Sequence, residues 1–113
     1  MTDPKIYSTE EIHIVDAEGV TRLTLSAKHG KPAIMLGNPN ADGPTAKLEI
    51  DDKGTHVRFD RPGGGNAYLF LNNLGNSGLV LTDVAGKRRL HATVAADGSS
   101  RIERLDDEGR PIS

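Results

Sequence analysis

Four turns of one chemistry punctuate the chain: Asp16-Ala17-Glu18-Gly19, Asp51-Asp52-Lys53-Gly54, Asp83-Val84-Ala85-Gly86 and Asp106-Asp107-Glu108-Gly109. Each reads as a type I β-turn. The leading aspartate accepts a bond from the backbone two residues on, and the closing glycine takes the positive φ that commonly follows. Five further turn candidates lie between and around them: Lys28-His29-Gly30, Asn40-Ala41-Asp42-Gly43, Arg61-Pro62-Gly63-Gly64-Gly65, Gly75-Asn76-Ser77-Gly78 and Ala96-Asp97-Gly98. Nine turns in 113 residues leave no room for long elements, and they predict about ten short strands.

The segments between the turns alternate with the period of two that a half-buried strand requires. Ala46, Leu48 and Ile50 alternate with Lys47 and Glu49; Val57 and Phe59 flank Arg58; Leu90, Ala92 and Val94 alternate with His91 and Thr93. Ser8-Thr9-Glu10-Glu11 has the spacing of a helix capping box, but Ile12-His13-Ile14 follows with period two, so it reads as a strand entry. Two segments, Ala33-Ile34-Met35-Leu36 and Ala67-Tyr68-Leu69-Phe70-Leu71, carry apolar side chains on both faces and are expected to be buried on both sides.

Every other turn glycine gives Gly19, Gly43, Gly65, Gly86 and Gly109, spaced by 24, 22, 21 and 23 residues, which predicts a hairpin repeat of about 23 residues. Gly30, Gly54, Gly78 and Gly98 are then expected to open the return strands. Residues 1–10 read as a tail or an extra edge strand, and residues 11–113 as a single all-β domain.

Two stretches, Ile14-Val15-Asp16-Ala17-Glu18-Gly19-Val20-Thr21-Arg22-Leu23 and Leu81-Thr82-Asp83-Val84-Ala85-Gly86-Lys87-Arg88-Arg89-Leu90, share the turn, a basic residue and the strand that follows. The pattern resembles the glycine-punctuated repeats of uncharacterised bacterial β proteins. That resemblance implies a β fold and brings no catalytic residue, cofactor or ligand with it.

Short turns dictate antiparallel neighbours, hence a meander whose sheet must hide one face and both edges. It can close into an up-and-down barrel, fold into a sandwich, or pack its apolar face against copies of itself. With two Phe, two Tyr and no Trp, the chain fills its core with smaller side chains, which favours the last, expected as a homotrimeric β-prism.

Composition narrows the partners. Fourteen Lys and Arg against sixteen Asp and Glu, interspersed, give a net charge of −2 and no field that would attract nucleic acid. The chain has no cysteine, so disulfides, cysteine-ligated zinc and thiol catalysis are excluded. No apolar run reaches the length of a signal peptide or a membrane span, so no membrane partner and a cytoplasmic location are expected.

Several patterns look like chemistry and fall on turns. Asn38-Pro39-Asn40-Ala41-Asp42-Gly43 followed by Glu49 has the spacing of a calcium loop, but Asn38, Asn40, Asp42 and Glu49 bring only two carboxylates and are flanked by strands. Arg61-Pro62-Gly63-Gly64-Gly65-Asn66 lacks the lysine and helix of a phosphate loop. Gly75-Asn76-Ser77-Gly78 looks like a serine-protease nucleophile motif over four residues only, and a turn accounts for it.

His13, His56 and His91 are expected on the solvent face and His29 in a turn, with no paired spacing for a metal. Lys87-Arg88-Arg89 with Arg101 and Arg104 is expected to be a solvated edge, offset by Asp106-Asp107-Glu108. Asn72, Asn73 and Asn76 read as turn chemistry. No catalytic, cofactor or metal residue is assigned. The expected function is a non-enzymatic structural or interaction module that self-assembles through its apolar sheet face; the alternative is a small-molecule-binding barrel lined beside Tyr68 and Phe70.

Overall fold

The computed structural model describes residues 5–112. Ten strands follow one another: β1 (Glu11–Val15), β2 (Thr21–Ser26), β3 (Ala33–Leu36), β4 (Thr45–Ile50), β5 (Gly54–Asp60), β6 (Asn66–Asn72), β7 (Ser77–Thr82), β8 (Arg88–Val94), β9 (Ser100–Leu105) and β10 (Pro111–Ile112). They form one antiparallel sheet in sequence order, β1 through β10. The all-β meander expected from the turn spacing is therefore the fold. Residues 5–10 form no strand, and residues 1–4 of the expected tail lie outside the described residues.

Most of the connections share one hydrogen-bond scheme. After β1, the Asp16 N–H donates to the Val20 carbonyl at 2.9 Å and the Gly19 N–H donates to the Asp16 carbonyl at 3.0 Å. The connections led by Arg61, Asn72, Asp83, Ala95 and Asp106 do the same. This is a type I turn closed by a left-handed glycine, the three-residue hairpin loop. The leading side chain selects it. Asp16, Asn72, Asp83 and Asp106 each accept, through Oδ1, the N–H groups two and four residues on at 2.9–3.0 Å.

That scheme corrects one expected turn. The hairpin after β6 is Asn72-Asn73-Leu74-Gly75, not residues 75–78: Gly75 carries the positive φ of +87°, while Ser77 and Gly78 lie inside β7. Asn72 does there what Asp83 does in the next hairpin, so the asparagine and not the Gly-Asn-Ser-Gly string sets the turn.

Neighbouring turns also hold one another along the two rims. Asn73 donates its backbone N–H to the Lys53 carbonyl at 2.8 Å and its side-chain N–H to Asp52, and Asn76 accepts from the Ala96 N–H at 2.9 Å. On the other rim Gly64 meets the Val84 carbonyl so closely that an added Cβ would stand 1.9 Å from that oxygen. A side chain there would push the two turns apart.

The sheet stays open. β1 and β10 stand at opposite ends of the order and do not pair, so one chain forms no barrel, and among the described residues no second sheet covers the first to make a sandwich. The alternatives of a barrel and a sandwich are corrected on this point: the first and last strands lie at opposite ends of the sheet, and no turn between strands carries the chain across a face to begin a second layer. The radius of gyration is 18.1 Å, against about 13 Å for a compact domain of this length. The chain exposes 8452 Å², where a compact protein of its mass exposes about 6,000 Å².

Candidate functional site

Cross-strand register sorts the side chains into two unlike faces. Leu23 pairs with Leu36, Ile34 with Leu48, Leu48 with Val57, Val57 with Leu69, Leu69 with Leu79, Leu79 with Ala92, and Ala92 with Ile102. Residues directly opposite share a face, so an unbroken apolar surface runs over the sheet from β1 to the last strands. Among the described residues, none of its side chains is fully buried, although Leu23, Val57, Leu79 and Ala92 are half-buried. Leu71 is 56% exposed, and Ile14, Leu36, Ile50, Phe59 and Leu69 are exposed as well. Among the described residues, Val80 is the one buried hydrophobic side chain.

The two segments expected to be buried on both sides are not. In β6, Leu69 and Leu71 join the exposed apolar face, while Tyr68 and Phe70 lie on the other face, where their rings stack 5.6 Å apart. Phe70 lies over Gly78, whose added Cβ would stand 2.6 Å from the ring. This small aromatic patch lies beside Val80, the cross-strand partner of Tyr68 and a buried side chain.

Apart from Ala33 and Met35 of β3, the rest of that face is mostly polar, with charges paired along its strands. Lys47 meets Glu49 at 2.5 Å, Arg58 meets Asp60 at 2.6 Å and Arg101 meets Glu103 at 2.5 Å. Lys47 holds the Glu49 carboxyl below its ordinary range. At the turns, Asp16 is lowered chiefly by the Val20 N–H and also by Arg22, whose Nε lies 2.8 Å from Oδ2. Asp83 is lowered first by Arg89 and then by the Lys87 N–H. Arg89 also bonds Asp107, and its two carboxylate partners raise its pKa further. The residues Asp16, Gly19 and Arg22 recur in role as Asp83, Gly86 and Arg89.

The sequence motifs fall as follows. The Asn38 amide oxygen accepts from the Asn40 N–H at 2.8 Å, and Asn40 accepts from the Asp42 N–H at 3.0 Å. Glu49 is not near them: residues 45–50 are extended strand, which carries Glu49 about 13 Å from Thr45. Residues 61–65 form a hairpin turn, with Arg61 directed at the Pro62 carbonyl. Ser77 lies on the apolar face opposite Leu71 and Val94, with no histidine beside it.

The basic stretch is solvated, with Lys87, Arg88, Arg101 and Arg104 all exposed, but it is no edge. β8 lies between β7 and β9, Arg89 and Arg101 are ion-paired, and Arg104 sits opposite Leu90 on the apolar face. His13, His56 and His91 share the polar face, although the His56 side chain is largely covered there, and His29 lies in the connection after β2 with φ +59°.

One grouping was not read from the sequence. Glu49, Asp51 and His56 each bring one possible ligand atom within 4.8 Å of the others. The signal was available: Glu49 lies in β4 and Asp51 follows two residues on at the start of the turn, and a four-residue turn over residues 51–54 sets His56 directly opposite Glu49.

Compared with protein-family models, curated proteins and solved structures, the chain matches none. Among the described residues, no helix is long and apolar enough to cross a membrane.

Proposed function

We propose that the protein is a structural or interaction module, not an enzyme, that assembles with copies of itself through the apolar face of its sheet, three chains closing into a β-prism. The observation that carries the proposal is the continuous apolar face of a sheet that has, among the described residues, a single buried hydrophobic side chain. The surface in excess of a compact protein's, about 2,400 Å² per chain by the same size scaling, is what obligate interfaces hide. A second copy of this face is the occupant whose shape and apolarity match along all of its length.

Strand length favours three chains. A six-residue strand spans about 20 Å, and the axis of a triangle of that side lies about 6 Å from each wall, near half the ~10 Å spacing of packed sheets. Side chains from three walls then meet with no hollow, whereas four walls leave a channel. Two stacked sheets also fill, but they leave Val20, Leu74 and Val84, exposed apolar residues of the turns, in water. In a prism each rim meets the neighbouring wall.

Sedimentation equilibrium tests this. Three times the 12.1 kDa chain mass is expected. A stable folded monomer overturns self-assembly; a dimer keeps the apolar interface and overturns the prism.

A further inference from the structure

We propose that Glu49, Asp51 and His56 form a three-donor site for a first-row divalent cation, with zinc as the reference ion, on the polar face of the sheet. One hairpin supplies all three. Glu49 and His56 are cross-strand partners on β4 and β5, and Asp51 follows on the same face at the start of the turn. Their candidate ligand atoms lie within 4.8 Å of one another.

The donors are held in place before any ion arrives. Asp51 uses one oxygen, Oδ1, to accept the N–H groups of Lys53 at 2.9 Å and Gly54 at 3.2 Å, which leaves Oδ2 directed toward the imidazole. The His56 ring lies against Tyr68, centroids 5.4 Å apart, and only 13% of its side chain is exposed. Lys47 takes one oxygen of Glu49 and leaves the other unengaged. Hydrogen bonds to a ligating carboxylate are among the supports that fix metal ligands elsewhere, and the Tyr68 ring limits the rotation of the imidazole.

The gap between two of the donors leaves them without a direct hydrogen bond. His56 Nδ1 and Asp51 Oδ2 stand 3.9 Å apart, beyond hydrogen-bond length. Two ligands bound at about 2.0–2.1 Å to one tetrahedral zinc stand about 3.4 Å apart, so a small inward movement closes the site on a cation. The imidazole selects zinc, cobalt or nickel over calcium and magnesium, which take oxygen. Three protein donors leave at least one position to water or to a ligand carboxylate or phosphate. The site lies on the face opposite the apolar one, so metal binding and self-assembly are separable.

The test is titration of tag-free protein with Co²⁺, read by visible absorption, and with Zn²⁺, read by calorimetry. One equivalent per chain is expected, with the four-coordinate cobalt spectrum. His56→Ala and Glu49→Gln should each weaken binding at least about tenfold. His13→Ala, which removes another histidine of the same face, should leave it unchanged. Circular dichroism and native mass equal to wild type show that a variant has folded; Glu49→Gln, which keeps the side-chain volume and the turn, serves if His56→Ala does not. Equal affinity in wild type and the folded variants, or no binding at sub-millimolar metal, overturns the site.

Discussion

The two faces of this sheet are made by alternate residues of the same strands, yet they are finished to different degrees. The polar face is complete within one chain. Its charges are paired along each strand, as in Lys47 with Glu49 and Arg58 with Asp60, and Phe70 and Tyr68 close over Gly78 and beside Val80. The apolar face is a row of aliphatic side chains with no partner layer. Every fully buried Leu or Ile contributes about 1.5–3 kcal/mol, and this chain alone collects little of it. The contrast teaches that hydrogen-bonded turns and strands specify the sheet without burying its apolar face, and that burial is what the proposed assembly would supply.

The comparison is broken most severely by a charge on the unfinished face. Leu69→Lys, at its centre, should abolish assembly and cost more than about 3 kcal/mol per chain, because an unpaired ammonium would have to be buried. Thr24→Lys, on the polar face, should leave native mass and thermal stability unchanged. If the two variants behave alike in sedimentation and thermal melts, the faces are not functionally distinct.

A smaller effect is expected from Gly78→Ala, where the new methyl group meets the Phe70 ring at 2.6 Å. Ring displacement should cost about 1–3 kcal/mol in chemical denaturation, with native mass intact. A change of mass would show that the polar face also takes part in assembly.

The smallest concerns the turns shared by both faces. Asp16 and Asp83 are held below their ordinary carboxylate range by turn N–H groups and by Arg22 and Arg89. A lowered native pKa gives stability that is fully present above the unfolded value, near 3.9, and is lost as pH falls through the native one. The denaturation midpoint should therefore be flat from pH 7 to about 5 and fall below about pH 4. Asp83→Asn, which keeps the turn acceptor and removes the charge facing Arg89, should flatten that fall. An unchanged acid profile would mean that these carboxylates are not the groups responsible.

Much of the fold was legible because turn chemistry and strand period are local. Asp16, Asp83 and Asp106 accept the backbone N–H two residues on that their sequence pattern implies, and period two placed His13, His56 and His91 on one face. Where two turn signals competed, sequence position misled. Asn72 outbids Gly78 because its amide satisfies two N–H groups, which no glycine does. The doubly apolar β6 was misread for a related reason: alternation does not say whether Tyr68 and Phe70 face a layer or one another.

By itself, the sequence determined the number of strands, their antiparallel order and the alternation that makes one face apolar, since each depends on residues within one hairpin. Only the tertiary structure decided that the sheet stays open, that Gly64 and Gly78 are contact points between neighbouring turns and strands, and that Glu49, Asp51 and His56 converge. Those outcomes depend on register and on what lies across the sheet, where a shift of one residue would send every side chain to the opposite face.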